Sequence, residues 1–294
     1  MQVSVYISVF VTTETETMRA ETMIAEAGRR LVDAGISNGC QEARWMLGEL
    51  LSAAQPCCGG CELPLDVQRA FERQVERRAN GEPLQYVMGT AAFHCIELAV
   101  GPGVLIPRPE TEQLVEIALA HCAENAEVLD LCTGSGAIAL AMAKQCPKAR
   151  FTGVDISEEA LAYARKNQTA LGLDNVVFLQ GDLFEPLPSG ARYALITANP
   201  PYVSEADYAG LEAVVHDYEP RLALVAEEDG LAVVRRIAEG AGGWLLPGGC
   251  LISEIGDDQG SRAADVFRKA GFEQVQILKD YSGHDRFAIG FNKL

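Results

Sequence analysis

Two hydrophobic periodicities divide this chain into a helical part and a part in which strands and helices alternate. From residue 19 to about residue 79, apolar residues recur three or four positions apart, as in Ile24, Ala27 and Leu31. This spacing predicts amphipathic helices, and the glycines between the apolar stretches predict that these helices are short. We therefore expect a small helical bundle in the N-terminal part.

The pattern changes after this region. Residues 83–109 are rich in Tyr, Val, Phe, Ile and Leu with interspersed glycines, which indicates a β-hairpin or an extended connector. From Thr111 onward, short apolar stretches alternate with helical patterns, including a helix from Ala137 and one over Ala160–Ala170. The predicted strands are Glu127–Leu131, Arg150–Asp155, Val176–Leu179, Tyr193–Thr197, Cys250–Glu254, Val275–Leu278 and Phe287–Phe291. This alternation is typical of an α/β fold with a parallel sheet, and the short approach to the last strand predicts that it enters antiparallel.

Composition limits the classes of function. The chain has 294 residues, enough for about two domains, with 41 acidic and 24 basic side chains and a net charge of −17. A 48% hydrophobic share with 22% charged residues is typical of a folded protein. The excess of carboxylates provides no general attraction for phosphate backbones or anionic lipid, so we expect neither stable DNA binding nor membrane association.

Nine scattered cysteines, an odd number, favour a reducing, cytoplasmic location over a disulfide framework. Cys57, Cys58 and Cys61 offer half of a zinc site, but no second pair of ligands follows, so we expect a glycine-rich turn and no metal. The apolar stretch 3–11 is too short for a membrane span and lacks the basic flank of an export signal. We expect residues 1–17 to be a poorly ordered leader from an upstream start codon.

The first candidate site is the segment Val128–Ile138, in which a strand ends near Asp130 and a glycine-containing turn leads into a helix. Glycines let the backbone approach a ligand closely, and the first turn of a helix presents unpaired N–H groups. The run Cys132–Gly136 differs from the GxGxxG pattern of dinucleotide sites, so a pyrophosphate-bound cofactor is disfavoured. A plain strand-to-helix turn is the alternative.

Further candidate residues lie at the ends of the next two strands. Asp155 ends one strand, where a carboxylate can accept hydrogen bonds from a ribose diol; a cap of the helix that starts near Ser157 is the alternative. Asp182 and Leu183 follow the next strand, where side chains can bracket an adenine, with a solvated loop as the alternative. All of these positions lie at the carboxyl edge of the predicted sheet, where ligands of this architecture bind.

The most informative segment is Asn199-Pro200-Pro201-Tyr202, directly after the strand that starts at Tyr193. Two prolines end the strand and fix a stiff turn. Asn199 offers an amide oxygen and Tyr202 a flat ring, so the turn can accept the hydrogens of a planar NH2 group and stack against it. This combination is typical of methyltransferases that act on amino groups.

Several other segments share a family pattern with this turn: Gly81–Tyr86, Val104–Glu112, Tyr218–Leu224, Asp229–Leu231, Glu254–Gly256 and Asp280–Arg286. With them, the chain resembles the release factor glutamine N5-methyltransferase family from about Met18 to Asn292. The resemblance implies a Rossmann-like, seven-stranded class I methyltransferase sheet, joined by a β-hairpin to a small helical bundle. It also implies S-adenosyl-L-methionine (SAM) as methyl donor. The implied substrate is the glutamine of the GGQ motif in class 1 peptide chain release factors, whose methylation modulates translation termination.

The resemblance also implies roles for residues at matching motif positions. The implied cofactor-binding residues are Cys132, Thr133, Gly134, Ser135, Gly136, Asp155, Asp182, Leu183 and Asn199. The implied substrate-binding residues are Asn199, Pro200, Pro201 and Tyr202, of which Asn199, Pro200 and Tyr202 are catalytic. The implied pocket wall consists of Phe93, Ile106, Pro107, Arg108 and Pro109, with a hairpin-core role as the alternative for Phe93. Cys132 departs from the family, in which many members have glycine there.

These expectations define a domain plan. Residues 18–88 form a helical substrate-recognition domain, 89–107 a β-hairpin connector and 108–294 the methyltransferase domain. We expect a monomer whose partners are class 1 release factors. A nucleic-acid methyltransferase is the main alternative, because the same turn suits the amine of a flipped base, and Arg73, Arg77 and Arg78 could contact RNA. A non-catalytic SAM-binding module is disfavoured because the turn is intact.

Overall fold

The computed structural model of the chain describes residues 14–53, 63–227 and 229–293. It contains two compact units, residues 1–89 and 90–294. The predicted Cys57, Cys58 and Cys61 turn, and residues 1–13 of the predicted leader, lie outside the described residues.

The first unit is helical, as the periodicity predicts. Its helices are α1 (Glu14–Asp33), α2 (Gly39–Ala53), α3 (Leu65–Ala79) and α4 (Leu84–Met88). The predicted apolar positions form its core, with Leu31, Met46, Leu47 and Phe71 fully buried. Helix α1 begins at Glu14, so the last four residues of the predicted leader are helical. Glutamate has a high intrinsic helix propensity, which agrees with a helix that already includes residues 14–17.

Two of the arginines considered for RNA contact form ion pairs within this unit. The Arg78 guanidinium pairs with Glu42, with Nε 2.6 Å from Oε2, and both side chains are largely buried. Arg77 pairs with Glu82, and its Nη2 donates to the Tyr86 carbonyl at 3.0 Å. Because these guanidinium groups join neighbouring segments of the bundle, they are poorly placed to attract phosphates.

The second unit begins with the predicted β-hairpin. Strands β1 (Thr90–Phe93) and β2 (Ile96–Ala99) pair antiparallel, with Phe93 opposite Ile96. The buried Asn167 side chain holds the hairpin: its Oδ1 accepts from Ala99 N at 2.7 Å, and its Nδ2 donates to the carbonyls of Ala99 and Ser135. One amide group thus joins the hairpin to the glycine-containing turn.

The rest of this unit is the predicted α/β sheet. Its strands are β3 (Glu127–Leu131), β4 (Arg150–Asp155), β5 (Val176–Gln180), β6 (Tyr193–Ala198), β7 (Leu245–Glu254), β8 (Glu273–Lys279) and β9 (Asp285–Phe291). Its helices are α5 (Pro109–Ala120), α6 (Ala137–Gln145), α7 (Glu158–Leu171), α8 (Glu205–Tyr208), α9 (Ala213–His216), α10 (Arg221–Leu224), α11 (Ala232–Ala241) and α12 (Gly260–Lys269).

Within the described residues, these seven strands form one sheet in the order β5-β4-β3-β6-β7-β9-β8. Strand β9 pairs antiparallel with both β7 and β8, which confirms the predicted entry of the last strand. Strand β3 pairs in parallel with β4 and β6, placing Leu131 beside both Val154 and Ala198. The residues that follow these three strands therefore meet at one carboxyl edge, the position at which ligands bind in such sheets. This is the class I methyltransferase architecture that the resemblance implies.

Candidate active site

A cavity of about 230 Å³ opens at this carboxyl edge. The predicted site residues that line it are Pro107, Cys132, Thr133, Gly134, Ser135, Asp155, Asp182, Leu183, Asn199 and Pro201. The predicted residues outside its lining are Phe93, Ile106, Arg108, Pro109, Gly136, Pro200 and Tyr202. Phe93 is only 1% exposed and is the last residue of β1, so its position agrees with the hairpin-core alternative.

The turn after β3 is held by a buried carboxylate below it. Asp130 is 1% exposed; its Oδ2 accepts from the Thr133 hydroxyl at 2.5 Å and its Oδ1 from the Thr197 hydroxyl at 2.8 Å. Cys132 in this turn has a φ of 56°, in the left-handed region that glycine adopts without a Cβ penalty. This backbone conformation suits the glycine that the resemblance implies for many sequences at this position, and Cys132 adopts the same turn at a small conformational cost.

Burial raises the pKa of Asp130 to about 6, although the two hydroxyl groups and a backbone N–H oppose this shift. A carboxyl whose pKa is higher in the folded state than in the unfolded state stabilises the fold at low pH and loses that contribution as the pH rises. We expect Asp130→Asn to gain stability relative to the wild type between about pH 4 and pH 6, by roughly 3 kcal/mol at most.

Chemical denaturation at a series of pH values tests this expectation, with the exposed Asp265→Asn as control. If the difference in the free energy of unfolding between Asp130→Asn and the wild type does not change with pH, the expectation is wrong.

Asp155 holds the same turn from the neighbouring strand. Its Oδ2 accepts from Gly134 N at 2.8 Å and its Oδ1 from Ser157 N at 2.9 Å, and burial raises its pKa. The N-cap of α7 is Ser157, whose Oγ accepts from Ala160 N, so capping does not account for Asp155. The backbone of Ile156 also contributes a hydrogen bond to this carboxylate. Since its two oxygens offer about four acceptor positions in all and Asp155 lines the cavity, it keeps acceptor capacity for a hydroxyl group.

The loop after β5 forms another wall of the cavity. Asp182 and Leu183 both line it, and the φ of Leu183 is 51°. Arg236 of α11, which was not predicted from the sequence, also lines the cavity and pairs with Asp182, with Nη2 2.8 Å from Oδ2. No motif marks Arg236, since its neighbours show only the periodicity of an amphipathic helix.

Asn199 directly follows β6 and is one of the residues that line the cavity. Its Nδ2 donates to the Thr111 hydroxyl at 3.1 Å, and Thr111 in turn donates to Glu254 Oε2 at 2.7 Å. The Tyr202 hydroxyl donates to the other oxygen of Glu254 at 3.3 Å. Thr111 and Glu254 stand in two of the family segments, but sequence reasoning assigned them no role, because their contacts span more than 80 residues of the chain.

The predicted wall residues at 106–109 have different roles. The buried Glu219 accepts from Ile106 N at 3.1 Å and from the Arg108 guanidinium at 2.5 Å, so these two residues anchor the loop. Pro109 is the first residue of α5, where a missing N–H costs nothing. Of the four, only Pro107 lines the cavity.

The turn from Asn199 to Tyr202 is also fixed through its last carbonyl. Gln259 Nε2 donates to the Tyr202 carbonyl at 2.8 Å, while Gln259 Oε1 accepts from Gly256 N at 2.9 Å. Gly230 packs against the same carbonyl with a φ of 80°, and a Cβ there would lie 2.3 Å from the oxygen. Both glycines belong to family segments, so these segments position the turn.

Gly230→Ala should therefore displace the turn and strain the backbone. We expect a loss of stability of about 1–3 kcal/mol and a fall in kcat of roughly tenfold. Gly190→Ala is a matched control, since Gly190 has a φ of 84° but a Cβ added there would meet no atom within 4 Å. Thermal unfolding and methyl-transfer rates of both variants test this, and equal effects on kcat would contradict a role for contact with Tyr202.

Two other kinds of site receive no support from the described residues. These residues contain no group of three or more His, Cys, Asp or Glu side chains arranged to hold a metal ion. None of the helices described in 14–53, 63–227 and 229–293 is long and apolar enough to cross a membrane.

Comparison with known proteins agrees with this architecture. Family models match residues 22–89, as a PrmC N-terminal domain, and residues 123–231, as a methyltransferase domain. Among solved structures, a methyltransferase from Pyrococcus furiosus is similar with a TM-score of 0.51 and 20% identity, covering 67% of this chain and 89% of that one. The T. thermophilus 16S rRNA N2 G1207 methyltransferase gives a TM-score of 0.52 and 20% identity, covering 69% and 50%. These two similarities show the fold alone.

Curated relatives are much more similar in sequence. A release factor glutamine methyltransferase of Vibrio cholerae is 45% identical over 223 residues, covering 75% of this chain and 77% of the relative. One of Moorella thermoacetica is 40% identical over 283 residues, covering 94% and 99%. One of Bordetella pertussis is 45% identical over 226 residues, covering 76% and 83%. The chain, with its methyltransferase sheet and its matching N-terminal domain, belongs to the release factor glutamine methyltransferase family.

Proposed function

We propose that this enzyme transfers a methyl group from SAM to the side-chain nitrogen N5 of the glutamine in the GGQ motif of class 1 peptide chain release factors. The observation that carries the proposal is the orientation of Asn199 at the cavity. Its amide nitrogen is directed to Thr111, so its oxygen, the acceptor of the group, is turned to the other side. An acceptor at this place suits a carboxamide that presents two N–H groups.

The cavity suits SAM in both its polar and its apolar parts. The carboxylate of Asp155 can accept the ribose hydroxyls, while Leu183 and Ile156 offer apolar surface for an adenine. The first residues of α6 and the turn around Gly134 also line the cavity, and their backbone N–H groups suit the carboxylate of the amino-acid part. When bound, SAM supplies an electrophilic methyl group on its sulfonium.

A carboxamide nitrogen is a weak nucleophile, because its lone pair is delocalised into the carbonyl. We propose that Asn199 Oδ1 and the Pro200 carbonyl each accept one N–H of the glutamine, and that Tyr202 stacks on the amide plane. These contacts would direct the nitrogen lone pair at the methyl group and favour the positive charge that develops on the nitrogen. A proton then leaves to water, and no basic side chain is required.

A methyl-transfer assay with labelled SAM tests this function. A release factor, its Gln→Ala variant and duplex DNA are compared as substrates, and we expect label only in the intact release factor. Equal labelling of the Gln→Ala variant, or labelling of DNA, would contradict the proposal.

We also propose that the helical domain, residues 18–88, recognises the release factor outside its GGQ loop. A protein substrate needs such contacts, because a short loop supplies little surface. The same assay with a short GGQ peptide measures this contribution: we expect a KM far above that of the intact release factor. An equal KM for both would contradict recognition by a separate domain.

A further inference from the structure

The mechanism above makes no use of Glu254, although this carboxylate begins one of the family segments. Glu254 ends strand β7, is 1% exposed and does not line the cavity. A buried carboxylate is costly unless it is paired and hydrogen-bonded. Its two oxygens accept from two hydroxyl groups, those of Thr111 and Tyr202.

The hydrogen-bond directions in this group follow from the chemistry of each member. An ionised carboxylate can only accept, so Thr111 must donate its single hydroxyl hydrogen to Glu254. The Thr111 oxygen is then an acceptor for Asn199, which must present its NH2 group at 3.1 Å. The Asn199 oxygen is thereby turned away from Thr111. An ionised Glu254 therefore requires that the nitrogen of the Asn199 amide, and not its oxygen, faces Thr111.

The second oxygen of Glu254 forms a hydrogen bond at the other end of the turn from Asn199 to Tyr202. It accepts from the Tyr202 hydroxyl at 3.3 Å, and burial beside this carboxylate raises the pKa of Tyr202, which keeps the phenol protonated as a donor. One carboxylate therefore holds both the acceptor residue and the stacking ring of the turn.

Charged groups from the neighbouring elements act on Glu254. Burial raises its pKa to about 7, and Glu110 at the start of α5 adds to the shift. Arg286 of β9 opposes the shift; its Nε lies 3.3 Å from Asp280 Oδ2, and its Nη1 donates to the Ile255 carbonyl. Arg108 acts on Tyr202, where its charge opposes the rise in the pKa of the phenol. The Asp280–Arg286 segment thus supplies the cation that favours the ionised form.

We infer that Glu254 is a positioning residue, which acts through Thr111 to fix the Asn199 amide with its oxygen towards the substrate carboxamide and through Tyr202 to hold the stacking ring. This inference rests on the proposed function. It adds two residues that act through Asn199 and Tyr202: Glu254, which lies outside the cavity lining, and Thr111, which is part of it. It also assigns the Glu254–Gly256 and Asp280–Arg286 segments to one hydrogen-bonded and charged group.

A pair of substitutions at Thr111 in the full chain tests the inference. Thr111→Val keeps the shape but removes the hydroxyl, so the Asn199 amide loses its partner; Thr111→Ser keeps the hydroxyl. We expect kcat to fall by about tenfold or more in Thr111→Val and by less than about threefold in Thr111→Ser, with the Kd for SAM changed less than about threefold in both. Thermal unfolding of both variants verifies that they are folded.

Suppose that the wild type methylates release factors and that Asn199→Ala loses this activity. An unchanged kcat in Thr111→Val would then overturn the inference and leave the proposed function intact. No methylation of release factors by the wild type would instead refute the proposed function. Equal losses in Thr111→Val and Thr111→Ser would also overturn the inference, because the hydroxyl would then have no part in the effect.

The pH profile of Glu254→Gln provides a second test that does not depend on Thr111. Above about pH 7 the wild-type carboxylate is ionised and accepts from both hydroxyls, whereas below this pH its protonation removes the fixed direction of donation. We expect wild-type kcat to rise as the pH rises through 7, and Glu254→Gln to show a low kcat without this rise. The same profile in both proteins would overturn the inference.

Discussion

Replacing Asn199 by alanine is expected to lower kcat for release factor methylation by about 100-fold or more, while the Kd for SAM changes by less than about tenfold. The side chain lines the cavity, and its oxygen is oriented by the donation of its nitrogen to Thr111. In the proposed mechanism its contact with the carboxamide matters most in the transition state, so its loss acts on kcat rather than on SAM binding. Steady-state kinetics with a release factor and calorimetric titration of SAM measure the two quantities.

Asn292→Ala is a suitable control for this prediction. The Asn292 amide is likewise a hydrogen-bond donor, in this case to the backbone carbonyls of Gly242, Leu245 and Leu246, but it lies after β9 and outside the cavity lining. We expect its kcat to match that of the wild type. An Asn199→Ala variant with wild-type turnover would rule out the proposed role of the amide.

The second large effect is expected at Asp155, where alanine should weaken SAM binding by roughly 1–3 kcal/mol, or about 5- to 150-fold in Kd. The carboxylate accepts the backbone N–H groups of Gly134 and Ser157 and keeps acceptor capacity on the cavity side. Alanine removes the proposed contact with the ribose and also leaves Gly134 N without its acceptor. Both losses act on SAM binding, so we expect KM and Kd for SAM to change more than kcat.

Asp155→Asn separates the two contributions, because it keeps one acceptor oxygen and the size of the side chain. We expect an intermediate loss of affinity. The exposed Asp265→Ala, which disrupts only an ion pair with Arg268, serves as control. Calorimetric titration of SAM distinguishes these cases, and an Asp155→Ala protein with wild-type affinity would exclude the ribose assignment.

The strands and the order of motifs could be predicted from sequence because they depend on local rules. Glu127–Leu131 and Arg150–Asp155 are strands with the predicted bounds, since apolar runs flanked by turn residues determine where a strand begins and ends. The antiparallel entry of Phe287–Phe291 followed from the short segment before it and is confirmed. Family membership could also be inferred from sequence, because several segments of the chain resemble those of the family, and the curated relatives confirm it.

The roles of individual side chains depended on contacts that the sequence does not specify. Ile106 and Arg108 were predicted as pocket wall, but Glu219, more than 100 positions away, holds them as anchors outside the lining. Pro200 and Tyr202 belong to the most informative segment, yet only Asn199 and Pro201 of that turn line the cavity. Periodicity shows which face of an element is buried, but it does not show which distant residue packs against it.

By itself, then, the sequence determined the α/β class, the position of the glycine-containing turn and of Asn199 at strand ends, and the family. The class and the positions rest on local pattern and on spacing along the chain, and the family rests on the resemblance of several segments. Only the tertiary structure joined Asn199, Thr111, Glu254 and Tyr202 into one hydrogen-bonded group, because strand order and helix packing bring together residues from β6, α5 and β7. The direction of a hydrogen bond depends on which donors and acceptors meet in the fold, and here it turns the nitrogen of the Asn199 amide to Thr111 and its oxygen away.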